Sequence, residues 1–204
     1  MLLSLLAAAI LACAAVFEAA TQTQAAVDVA STAQRTPSPQ LRERILRGAA
    51  TRLQSSWARP ALWSADAAEA LSAVEALRGN AVGGAAAHYA ESMHWATRAT
   101  KLGPAQARSW ARLAEFSLMG VPGAPCEPHV CLERSWAAAP MSDAAFDCAR
   151  LRLAYAAGGQ APSRERVAWY LRSGVGSDDA AACLTFLPRA EVLQLMLQAR
   201  SAAE

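Results

Sequence analysis

Residues 104–146 read PAQARSWARLAEFSLMGVPGAPCEPHVCLERSWAAAPMSDAAF. Pro104 precedes Trp110 by six residues, and Pro140 precedes Phe146 by the same six, so the proline-to-aromatic spacing recurs with a 36-residue offset. Between the two anchors lie SWARLAEFSLM (109–119), VPGAPCEP (121–128) and HVCLERSWAAAP (129–140). The middle segment is too rich in proline and glycine to be helical. Its neighbours are built from strong helix formers, so the stretch reads as helix, loop, helix, proline, next helix.

The same logic extends outward. Alanine dominates the 204-residue chain, and Val, Ile, Thr and Tyr never cluster as they do in strands, so the fold class is all-α. Setting aside an apolar N-terminus, the remaining ~175 residues suit one domain with a substantial core. Lysine occurs once, at Lys101, and arginine carries nearly all the positive charge. Nineteen basic against 17 acidic residues give a formal charge of +2, which indicates no nucleic-acid footprint.

At Trp110 the chain resembles a tetratricopeptide repeat. That family's first helix carries W-x2-L-G, matched here by Trp110, Leu113 and Ala114, with alanine in the glycine slot. The family closes each repeat with a proline before the next first helix, the slot held by Pro104 and Pro140. The resemblance covers residues 82–155 and implies helix pairs that bury their faces by stacking. Three features depart from the pattern. Ser117 stands where an aromatic is usual, Phe146 is followed by Cys148-Ala149 rather than leucine, and the period is 36 rather than 34. A non-repeating helical bundle is the alternative. The layout also resembles membrane-anchored helical-repeat proteins encoded with bacterial polysaccharide machinery: a short anchor, an Arg/Ala-rich repeat segment and a late ERSWAAAP helix end. That likeness implies an envelope setting with other envelope proteins as partners.

The N-terminus, LLSLLAAAILACAAVF (2–17), carries no charge. With Ala19 and Ala20 it reaches a barely bilayer-spanning length. No Lys or Arg precedes it, so the basic region of a secretory signal is missing. An uncleaved membrane anchor is the first expectation. A cleaved signal with a site at Thr23-Gln24-Ala25, a lipoprotein box at Ile10–Cys13, and a buried helix are the alternatives. The expected division is 1–25 anchor or signal, 26–39 linker, and 40–204 helical repeat-like domain. Arginines 35, 42, 44, 47, 52 and 59 follow with only Glu43 against them. Positive flanks prefer the cytoplasm; the arginines read as a solvated basic face, with contact to anionic lipid headgroups as the alternative. The cysteines favour the other side of the membrane.

Helices are expected elsewhere from caps and periodicity. Ser38 and Pro39 open one with Leu41, Ile45, Ala49 and Leu53 as its apolar stripe. Trp57 and Trp63 bracket a turn at Pro60. Ser64 caps a helix burying Ala67, Leu71, Val74 and Leu77 and stopping at Gly79. Gly83-Gly84 opens another to Lys101, with Tyr89, Met93 and Ala96 inward. The Trp110 helix carries Leu113, Ala114 and Ser117 on the same face. Ser142 caps a helix running to Tyr155. A short helix from Ser163 to Gly174 carries Val167, Trp169 and Tyr170, and Ser177 with Asp178 and Asp179 starts the next. Pro188 opens the last, with Val192, Leu195, Met196 and Ala199 inward and Glu191, Gln194 and Gln198 outward, as an end cap of a stack requires.

Beyond Cys13, four cysteines remain: Cys126, Cys131, Cys148 and Cys183. An even count in an exported domain points to two disulfides, the alternative being four small buried hydrophobes. Three pairings exist, and Cys126–Cys131 with Cys148–Cys183 is preferred, Cys131–Cys148 being the main competitor. A Cys3His zinc site of Cys126, His129, Cys131 and Cys148 is a rival reading, although its spacing is unusual and no CxxC pair exists. His88, Glu91 and His94 step too widely around one helix for three ligands on one face; either histidine is within reach of Glu91, and structural or surface roles are expected. No GxSxG, HExxH, GxxxxGK[ST] or strand-linked GxGxxG occurs. The expectation is a non-enzymatic module without cofactor that recruits envelope proteins, held to the membrane by its N-terminal helix. A zinc-binding helical protein and a cytoplasm-facing adaptor are the alternatives.

Overall fold

A computed structural model describes residues 2–55, 58–81, 86–140, 142–158, 164–172 and 177–201. The turn beside Trp57, the Gly83-Gly84 opening, the Ser163 start and the Gly174 stop lie outside those residues, as do the side chains of Gln198 and Ala199. Helices fill the description and no strand occurs among the described residues. They are α1 (Leu2–Arg35), α2 (Pro39–Ser55), α3 (Ala65–Ala81), α4 (Ala86–Leu102), α5 (Ala107–Leu118), α6 (Pro128–Ala138), α7 (Ala144–Gly158), α8 (Arg164–Arg172), α9 (Ser177–Cys183) and α10 (Arg189–Ser201), with a 3₁₀ turn at Pro60–Leu62. The chain is therefore all-α: one long apolar helix followed by packed helix pairs.

α1 runs unbroken to Arg35, through most of the 26–39 segment expected to be a linker. Ala19, Ala26 and Ala33 are buried along it. Their spacing of seven puts all three on one face, and alanine lets the neighbouring backbones approach closely. Leu46, Ala49, Ala50 and Leu53 of α2 fill the facing side, while Leu41 is 46% exposed. The expected 41–45–49–53 series steps by four, which drifts about 40° per step on a 3.6-residue helix. Its ends lie about 120° apart, so only the later members meet the core.

The expected caps at Ser38 and Ser64 are present: their hydroxyls accept the amide N–H of Leu41 and Ala67, each at 3.3 Å. Gly79 does not end α3. It is an internal packing position, where a Cβ would sit 2.6 Å from the Tyr89 ring across the α3–α4 contact. Ser72 and Ser92 lock that contact, each hydroxyl donating to the other's carbonyl, at 2.8 and 2.6 Å. In α5 the fully buried aromatic is Phe116, and Ser117 is half-buried. α7 is capped by Asp143 rather than Ser142: its carboxylate accepts the Phe146 N–H at 2.9 Å, while Asp147 reaches back to the Ser142 N–H at 3.3 Å. An ionised side chain is the stronger partner for an N-terminal amide.

Three buried clusters follow one another along the chain. The first joins α1–α4 around Ala33, Leu46, Leu71 and Val74. The second joins α4, α5 and α6 around Ala96, Leu113, Ala114 and Cys131. The third joins α6–α10 around Trp136, Leu151, Leu184 and Leu195. α3 packs on α4, α5 on α6 and α7 on α8; successive pairs meet through α4–α5 and α6–α7, and α5 also touches α7. Cores that pass from one helix pair to the next are compatible with a helical repeat-like fold. At the C-terminal end, Val192 and Leu195 face inward as expected and Gln194 outward. Leu193, Leu197 and Trp169 are exposed.

Candidate functional site

The first functional element is the N-terminal half of α1, up to Phe17. Its apolar side chains are largely bare: Leu6, Ile10, Leu11 and Val16 are all exposed, and Phe17 is 75% exposed. The helix is long and apolar enough to cross a membrane, and its apolar window is only 6% buried. That occupancy rules out the expectation of a buried core helix. From Ala19 onward the same helix belongs to the folded domain.

The second element is the pair of anchors that drew attention in the sequence. Trp110 is half-buried on α5, and its indole N–H donates to the Pro104 carbonyl at 2.9 Å. The six-residue spacing at this anchor is the reach of that hydrogen bond across the Gly103–Gln106 turn. Phenylalanine has no such donor, so the Pro140–Phe146 spacing rests on a different contact, the Asp143 cap. The two aromatics nevertheless share one feature. Arg134 lies over Trp110 at 4.7 Å, and Arg108 and Arg150 approach Phe146 at 4.9 and 4.6 Å. Arg108 also pairs with Asp143 at 2.5 Å, so α5 and α7 begin side by side. Leu113 and Ala114 are both fully buried, in the cluster against which Trp110 packs. Pro104 and Pro140 lie exposed in the preceding turns.

The cysteines pair as preferred from sequence. Cys126 and Cys131 form one disulfide, with Cα atoms 5.8 Å apart, and staple the Pro/Gly loop to the first turn of α6. Cys148 and Cys183 form the other at 5.7 Å, tying α7 to α9. Cys13 is free and exposed on α1. His129 is exposed, and among the described residues no His/Cys/Asp/Glu group is arranged to hold a metal.

Sequence reasoning missed two buried ionic groups. Arg150 has no exposure at all. Its guanidinium donates to the carbonyls of Ser135 and Ala139 at 3.1 and 2.7 Å and to the Asp147 carboxylate, and it stacks 3.7 Å from the Trp136 ring. It thereby satisfies the carbonyls at the end of α6. Burial pulls its pKa below the ordinary arginine value, with Asp147 opposing that shift. The second group links α2, α3 and α4. Glu43 accepts from Arg47 and Arg78, Arg78 also donates to Glu75 at 2.8 Å, and Glu75 meets His88 at 2.8 Å. His88 therefore pairs across helices with Glu75 rather than with Glu91. Burial raises the Glu43 pKa, but hydrogen bonds and charge from Arg78 and Arg47 outweigh it and hold the carboxyl below its ordinary range. An open cleft of 580 Å3 lies beside this group, lined by Pro39, Gln40, Glu43, Arg44, Arg47 and Ala81. The only sequence signal was an acid, Glu43, set among arginines.

These features define a class: an all-helical protein whose apolar leading helix is continuous with a stack of helix pairs stapled by two disulfides. No protein-family model, curated protein or solved structure matches the chain.

Proposed function

We propose that the protein is a non-enzymatic, membrane-anchored scaffold of tetratricopeptide-like helix pairs. It recruits other proteins in the bacterial cell envelope, with polysaccharide assembly or export as the process it serves. The observation that carries the reading is α1: one unbroken helix whose first half is bare apolar surface and whose remainder is built into the domain. Gln22 and Ala25 line the same crevice as Ala26, Val29, Ala49 and Arg52, so residues on both sides of the candidate cleavage site dock on α2. That continuity favours an uncleaved anchor over a signal. Recruitment is supported by the side-by-side starts of α5 and α7, an arrangement in keeping with helical stacks, which bind through their exposed faces. Two disulfides favour the oxidising, periplasmic side over a cytoplasm-facing adaptor.

Thiol labelling of protein taken from native membranes, with and without reductant, tests the compartment. Four thiols blocked until reduction are expected; four free thiols would move the domain to the cytoplasmic side. Photo-crosslinking from position 108 tests recruitment. Discrete protein adducts are expected, and none above an unreactive control would remove the scaffold reading.

A further inference from the structure

The anchor leaves the domain at one defined end. α1 and α2 pack on each other across the short turn 36–38 and so run antiparallel, with Gln22 and Ala26 flanking the same crevice as Arg52 and Ala49. The end of α2 is therefore level with Ala19, where burial of α1 begins. α3 starts at that level and α4 returns to it. A Cβ on Gly103 would sit 2.9 Å from the Ala65 Cβ, Gln106 donates to Asp66 at 2.6 Å, and the Arg98 guanidinium donates to the Leu62 carbonyl. The 3₁₀ turn contacts α1 itself.

This end carries an unusual surface. Leu62, Trp63 and Leu102 are 42%, 43% and 39% exposed. Arg52, Arg59 and Lys101 are exposed beside them, against Asp66, which is engaged by Gln106, and Glu18 at the base of the anchor. The Trp63 indole N–H is already satisfied by the Ala58 carbonyl at 2.7 Å, so its ring presents an apolar face. Arg59 sits at φ 41°, in the left-handed region, which turns the chain into the 3₁₀ turn. The anchor itself is short. The uncharged run Leu2–Phe17 spans about 24 Å as a helix, against a hydrocarbon core of about 30 Å. A short span draws its flanking residues toward the bilayer.

We infer that this end of the domain lies on the membrane surface. Leu62, Trp63 and Leu102 enter the boundary between headgroups and acyl chains, and Arg52, Arg59 and Lys101 face anionic headgroups. Tryptophan beside basic residues is the composition that interface favours. The arginines at the start of α2 do not take part. Arg42 and Arg44 lie about 12–15 Å further from the membrane along the helix, and Arg42 bonds the Thr36 carbonyl at the far end. The inference rests on the membrane anchor in the proposed function. It adds that the helix pairs stand on the bilayer at fixed height rather than swinging on a tether.

The test uses full-length oxidised protein in phosphatidylethanolamine–phosphatidylglycerol vesicles, with nitroxide labels read by oxygen and nickel-chelate accessibility. The native Cys13 reports the anchor. Trp63→Cys and, separately, Leu102→Cys, both in a Cys13→Ser background, report the proposed surface. Gln40→Cys, at the opposite end, is the aqueous reference. Cys13 deep in lipid, with positions 63 and 102 several-fold less nickel-accessible than position 40, is the expected result. Cys13 deep but 63 and 102 as accessible as 40 would overturn the inference and leave the anchor standing. A water-accessible Cys13 would overturn both.

Discussion

The two ends of the helical stack are held by different physics. The α1–α4 end is packed from alanines and leucines on helices of 17 residues or more, without a disulfide. The α6–α10 end uses helices of 9, 7 and 13 residues for its last three elements. Segments that short are not stable alone and bury little surface each. There the chain adds a disulfide from α7 to α9, a fully buried arginine and larger side chains such as Trp136 and Tyr170. Long alanine-faced helices gain stability from close, extended contact. Short ones need cross-links and directional bonds.

The largest effect that could break this comparison is at Arg150. Arg150→Ala strands the Asp147 carboxylate in the core and takes the guanidinium from the Ala139 carbonyl, with an expected loss of about 4–5 kcal/mol, the upper range for breaking a buried pair. Urea denaturation measures it, and a loss under 1 kcal/mol would show that the second core does not depend on the arginine.

Next come the disulfides. Replacing Cys148 and Cys183 by serine is expected to cost about 4 kcal/mol, because their loop is long, and replacing Cys126 and Cys131 about 2 kcal/mol by the same chain-entropy relation. Hydrogen exchange should place the first loss in α7–α10 and leave α1–α4 protected. Uniform loss of protection would mean that the two ends fold as one cooperative unit.

A smaller effect sharpens the other side. Glu43→Gln is expected to cost about 2 kcal/mol at neutral pH, within the range for hydrogen bonds to a charged group, because Arg47 is the one well-exposed partner. The folded-state pKa of Glu43 is depressed by Arg78 and Arg47. Its stabilisation is therefore present above the ordinary carboxyl range and lost as pH falls through the lower folded value. The wild-type protein should lose this increment in acid and the variant should not; parallel pH profiles would rule the network out as a contributor.

The smallest effect has the opposite sign. Gly48 lies mid-helix in α2 with nothing within 4 Å of where a Cβ would be. Gly48→Ala should stabilise by about 0.5–1 kcal/mol, read as a rise in thermal midpoint. Gly79→Ala, against the Tyr89 ring, should instead destabilise.

Much of the architecture was legible in the sequence because it rests on local chemistry. The serine caps at Ser38 and Ser64, the helix over Trp110, Leu113 and Ala114, the Pro/Gly loop and the bare apolar run depend on propensity, capping and periodicity within a few residues. The cysteine pairing was legible as one of three choices. Other features were decided only by tertiary contact. Nothing local distinguishes Gly79 as a packing glycine from Gly79 as a stop signal, since the distinction is the Tyr89 ring arriving from α4. The burial of Arg150, the Glu43–Arg78–Glu75–His88 chain and the continuation of α1 past residue 25 into the core likewise depend on partners distant in sequence. Even the repeated proline-to-aromatic spacing separated in three dimensions into an indole hydrogen bond at Trp110 and a carboxylate cap at Phe146. A spacing records a constraint on the chain, and the atoms that impose it come into view only when the helices pack.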